Sequence, residues 1–92
     1  MNKAEREHVV AEAIAWILDG EPKFPGWDPD PKVLQSLFEA SLIAYPNLQV
    51  LPALGKFRLR WLVEKPVPAK IWISRWRRWL EVGLRIGDPF VV

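Results

Sequence analysis

The chain has 92 residues, 50% hydrophobic and 26% charged, with a net charge of +2 and no cysteine. A chain of this length is read as one small domain whose core buries only about 60–65% of the unfolded surface, and without cysteine it has neither disulfides nor thiolate metal sites. No uncharged apolar run reaches the roughly 18 residues of a bilayer span, and the charged start "MNKAEREHVV" is unlike a signal peptide, so the expectation is a cytoplasmic protein that does not engage a membrane.

The first predicted helix covers residues 3–19. Asn2 is its N-cap, Glu5 completes a capping-box spacing, and Val10, Ala13, Ile14, Ile17 and Leu18 recur on one face. Gly20 is the expected stop. The segment "GEPKFPGWDPDPK" follows, and Pro22, Pro25, Pro29 and Pro31 forbid a regular helix or central strand there. Phe24 and Trp27 are expected to fold back onto the helices.

The second predicted helix begins after Asp30, an acidic N-cap, with Pro31 at the first helical position, where a missing N–H costs nothing. Leu34, Leu37, Phe38 and Leu42 form its apolar stripe, and Pro46 ends it. The third is expected over 51–64, with Leu54, Phe57, Trp61 and Leu62 on one face and Lys56, Arg58 and Arg60 off it. After the break "EKPVP", a fourth helix over 69–83 places Trp72, Trp76, Trp79 and Leu80 at i, i+4, i+7 and i+8. "GDP" at 87–89 turns the chain, and "FVV" is a short apolar tail. No stretch alternates with period two. The fold class is therefore all-α: a small three-helix bundle over 31–84, preceded by an acidic N-terminal helix (1–20) and a proline-rich connection (21–30), with a tail at 85–92.

The residues argue against an enzyme. The single histidine, His8, sits among Glu7 and Glu12 and reads as a solvated surface group. A zinc site needs three or four converging ligands. Ser36, Ser41 and Ser74 lie inside predicted helices with no base nearby in sequence, and Asp28 and Asp30 are cap and turn residues. There is no glycine-rich phosphate loop. No catalytic residue, metal or cofactor is expected.

Charge and rings point to binding. Residues 1–55 hold four basic and eight acidic groups, a net of −4, whereas residues 56–92 hold nine basic and three acidic, a net of +6, together with four of the six tryptophans. A positive groove with rings for bases to stack on is how single-stranded nucleic acid is held. The candidate contacts are Lys56, Arg58 and Arg60 on the third helix, Arg75, Arg77 and Arg78 on the fourth, and Lys65 and Lys70 beside the loop between them. Phe57, Trp61, Trp72, Trp76 and Trp79 are expected in the core, because each buried ring removes about 150–250 Å² from water.

The second half carries a specific pattern: Pro46, Leu48 and Val50, then Phe57 and Trp61, then Trp72, Trp76, Trp79 and Leu80, with Trp27 and Pro29 upstream. Over residues 26–82 this resembles the C-terminal domain of phage-type replication proteins and of the primosomal protein DnaT. The resemblance implies a compact three-helix domain that binds single-stranded DNA and assists helicase loading or primosome assembly, so a replicative helicase or another replication protein is an implied partner. The chain departs from the pattern at Arg60, where a tyrosine is common, and at Gln49, where an acidic residue is common. It also has a single helix where the family has a separate N-terminal domain. A second class of reading is a helical adaptor whose basic face docks an acidic protein, or a homo-oligomer formed by the acidic first helix on a neighbour's basic half.

Overall fold

Asn2 starts the first helix as its spacing requires: the Glu5 N–H donates to Asn2 Oδ1 at 2.8 Å. The Glu5 carboxylate closes the box by accepting from the Asn2 side-chain amide at 3.1 Å, in place of the backbone N–H of the usual arrangement. The computed structural model describes residues 2–19, 24–27, 30–61 and 65–92. In it the chain forms α1 (Lys3–Asp19), α2 (Pro31–Ala44), α3 (Val50–Arg60) and α4 (Ala69–Ile86), with no strand among the described residues. The expected stop at Gly20, Pro22, Asp28, Pro29 and the stretch from Leu62 to Glu64 lie outside the described residues.

At the head of α2, Asp30 accepts from the Lys32 N–H at 2.8 Å and Pro31 occupies the first helical position. α3 is shorter than its apolar spacing predicts. It ends at Arg60, where the Trp61 N–H reaches the carbonyls of Phe57 (3.3 Å) and Arg58 (3.2 Å), the tightened last turn common at helix ends. α4 runs three residues past the expected end. Gly87, at φ 76°, then takes the left-handed conformation that closes it, with Asp88 N–H donating to Gly83 O at 2.8 Å and Gly87 N–H to Leu84 O at 3.4 Å.

One buried cluster joins all four helices. Val10, Ala13 and Ile17 of α1 meet Leu34, Leu37 and Phe38 of α2, Leu54 and Phe57 of α3, and Trp72, Trp76 and Leu80 of α4. The Cα radius of gyration, 12.5 Å, matches the roughly 12 Å of a folded chain this long, so α1 is part of the bundle. No described helix is long and apolar enough to cross a membrane.

Phe24 and Trp27 do fold back. Phe24 lies 5.0 Å from Trp72 and 5.6 Å from Phe57, centroid to centroid, and Trp27 stacks on Trp72 with 5° between the planes. Gly26 permits the turn: its φ is +78°, and a Cβ there would collide with the Val67 carbonyl oxygen. The tail docks as well. Val91 is 2% exposed, and the Phe90 carbonyl accepts the Gln49 N–H at 2.8 Å, supplying a partner that the start of α3 lacks within its own chain turn.

Candidate nucleic-acid interface

The aromatic stripe of α4 splits in two. Trp72 and Trp76 are fully buried, and each satisfies its indole N–H: Trp72 Nε1 donates to Pro25 O at 2.7 Å, and Trp76 Nε1 to Ser41 Oγ at 3.1 Å. Ser41 Oγ in turn donates to Leu37 O at 2.7 Å, so this polar pair in the core is complete. Phe57 is buried among the same rings. Trp79 and Trp61 differ from the expectation and are only half-buried. Trp79 stands at the edge of the stripe, its ring packed edge-on against Phe57 at 5.7 Å. Trp61 follows the last helical residue, so the helical phase that would have carried it inward has ended.

Between the end of α3 and the outer face of α4 lies an open cleft of about 530 Å³. Arg60 and Trp61 form one wall, and Ile71, Arg75, Arg78 and Trp79 form the other and the floor. The Arg75 guanidinium is held over two rings, 4.1 Å from the Trp61 centroid and 5.1 Å from that of Trp72. Arg60 stands 4.8 Å from the Trp61 ring. Each such contact is worth about 0.5–1 kcal/mol when exposed and more when water is excluded, and together they fix two guanidinium groups at the cleft. Apolar walls around like charges focus a positive potential.

Three of the eight basic candidates, Arg60, Arg75 and Arg78, therefore converge. The others do not join them. Arg58 is 6% exposed, with its guanidinium 5.3 Å from the Phe24 ring and Nη1 donating to Trp61 O at 3.5 Å. It is a core cation covered by the 24–27 turn, which corrects its reading as an exposed phosphate contact. Lys56 lies within α3, one turn before Arg60, but is turned to the tail, where Nζ donates to Asp88 Oδ2 at 3.0 Å and lies 5.7 Å from the Phe90 ring. Its role is to pin the tail. Arg77 opens on the α2 side of α4. Lys65 and Lys70 are exposed just before and at the start of α4, outside the cleft lining.

Sequence reasoning missed Ile71, Ser74 and Val82 in the cleft. The signal for Ile71 and Val82 was present: residues 71, 75, 78 and 82 recur at i, i+4, i+7 and i+11, a second stripe of mixed arginine and aliphatic residues flanking the buried one. It also missed Asp88. This buried carboxylate accepts the Phe90 N–H at 2.9 Å as well as Lys56, and the Phe90 bond foremost, then the Lys56 ammonium, hold its pKa below the ordinary value against the opposing effect of burial.

His8 is exposed and pairs with Glu12 at 2.7 Å on α1. Among the described residues no group of three histidine, aspartate or glutamate side chains is placed to hold a metal ion. No family model matches the chain, and no characterised protein or solved structure matches it.

Proposed function

We propose that the chain is a non-enzymatic single-stranded-DNA-binding module and that the cleft between α3 and α4 is where the strand sits. The observation that carries this reading is the convergence of Arg60, Arg75 and Arg78 on an apolar floor flanked by the two half-buried rings, Trp61 and Trp79. Phosphates meet the guanidinium groups, and an unstacked base meets a ring, each stack contributing about 1–3 kcal/mol. A regular duplex keeps its bases stacked on one another and offers such a cleft no free π-face. The resemblance of residues 26–82 to the DNA-binding domain of phage-type replication and primosomal proteins adds the context: a replication accessory that hands a strand to a helicase or primosome.

The test is fluorescence anisotropy with a labelled oligothymidylate, against a duplex of the same length, across a salt series. The intact protein favours the single strand. For a strand confined to the cleft, log K falls with log salt at a slope of about −2, from three phosphate contacts at about −0.7 each. The double substitution Arg60→Glu, Arg78→Glu changes two exposed side chains and removes binding while the protein still melts cooperatively, its melting temperature lowered only by the loss of the Arg60–Trp61 contact. Binding that survives the charge reversal, or no binding by the intact protein at low salt, overturns the reading.

A further inference from the structure

Arg77 and Arg78 are neighbours in sequence but point to opposite flanks of α4, because successive helical residues are turned by about 100°. Arg78 lines the cleft just described, while Arg77 lines a second groove between α2 and α4. That groove, about 490 Å³, has Lys32 and Ser36 of α2 facing Arg77 and Ile73 of α4, over a floor that includes Leu37 and Ala40. Lys32 and Arg77 are both exposed and the groove holds no acidic side chain. The carboxylate nearest in sequence, Asp30, is engaged with the Lys32 backbone N–H. Towards the C-terminal end of α4 the groove continues into a smaller hollow of about 190 Å³, where Glu81 lies beside Arg77. A polyanion would turn away from that end.

The crest of α4 between the two grooves carries Lys70 and Ser74 on its N-terminal half, both exposed. Basic groups therefore continue from one flank of the helix to the other without an intervening acid on that half: Arg75 and Arg78 in the cleft, Lys70 on the crest, Arg77 and Lys32 beyond it.

We propose that the strand does not end in the cleft but crosses the N-terminal half of α4, passing Ser74 and Lys70 into the α2–α4 groove, where Lys32 and Arg77 take its backbone. This rests on the reading of the cleft as a single-strand site and extends it. It assigns Lys32, on a helix otherwise remote from the basic half, a part in binding. A helix is about 10–12 Å across with its side chains, so engaging both grooves takes a longer strand than filling one.

The experiment compares oligothymidylates of about 5 and about 15 nucleotides, within the known span of single-strand site sizes, on the intact protein and on a Lys32→Glu, Arg77→Glu double variant. A Lys32→Gln, Arg77→Gln variant controls for the new like-charge neighbour of Glu81. The expected result is that the double variant binds the short strand as the intact protein does. It binds the long strand roughly tenfold more weakly, with a salt slope shallower by about 1.4, two phosphate contacts at about 0.7 each. Unchanged affinity and slope for the long strand overturn the crossing path and leave the cleft standing. Failure of the intact protein to bind either strand overturns both.

Discussion

Trp72 and Pro25, 47 positions apart, are joined by a 2.7 Å hydrogen bond from the indole N–H to the carbonyl oxygen. The same carbonyl accepts the Val67 N–H at 3.2 Å, so one oxygen ties the 24–27 turn both to α4 and to the segment leading into it. Trp27 stacks on Trp72 from the same turn. Trp72→Phe leaves Pro25 O with one donor, so no acceptor is orphaned, but the core loses a bond and the volume of the second ring. The expected cost is about 2–3 kcal/mol, read as a lower urea midpoint with an unchanged slope.

Two glycines should respond in opposite directions to alanine. At Gly26 the backbone is left-handed and the new Cβ would meet the Val67 backbone, which cannot rotate away. Gly26→Ala should therefore cost more than the roughly 1–2 kcal/mol of the dihedral alone. Gly55 lies inside α3 with nothing within 4 Å of the added carbon. Gly55→Ala should stabilise by about 0.5–1 kcal/mol through helix propensity and a less flexible unfolded chain. Thermal melts of the two variants beside the parent decide both; equal effects would contradict the turn geometry.

Asp88 gives the fold an acid sensitivity. Its carboxyl is held below its ordinary pKa by the Phe90 N–H first and by Lys56 as well, so the folded protein holds that proton less readily than the unfolded chain does. The resulting stability is complete above the unfolded value, about pH 4, and is lost as pH falls through the lower folded value. Asp88→Asn removes the charge and should flatten this part of the profile while lowering stability at neutral pH. Urea midpoints of both proteins from about pH 7 down to about pH 3 test it. A variant that tracks the parent throughout would remove Asp88 as the source.

The helices were legible because their signals are local. Asn2 and Asp30 cap where their spacing places them, prolines bound the segments, and the apolar stripes of α1 and α2 are the faces found buried. Phe24 and Trp27 were legible because two large rings in a proline-rich turn have few other ways to leave water. What escaped depends on contacts between distant segments. Arg58 is buried because the 24–27 turn covers it, which no helical period encodes. Lys56 is drawn from the binding set by a carboxylate 32 positions away. Trp61 shares the spacing of the core rings, but α3 ends one residue before it, and helix ends are set by the packing beyond them as much as by sequence. The three arginines of the cleft were visible in advance; Ile71 and Val82 were passed over because aliphatic residues on a surface stripe read as unremarkable singly.

The two classes of tryptophan give a direct optical test of where a strand sits. Trp72 and Trp76 are sealed in the core, whereas Trp61 and Trp79 line the cleft. A bound oligothymidylate should therefore quench the emission of Trp61 and Trp79 and leave Trp72 and Trp76 unchanged. Replacing both with phenylalanine keeps a π-face for stacking and removes only the reporting indoles. In Trp61→Phe, Trp79→Phe the affinity measured by anisotropy should stay within roughly threefold of the parent, since a ring remains for each stack, while the binding-dependent quench disappears. Trp16, which is half-buried on α1, serves as the internal contrast. If the quench persists in the double variant, the strand lies beside Trp16 of α1 or Trp27 of the 24–27 turn, and the cleft between α3 and α4 is not its seat.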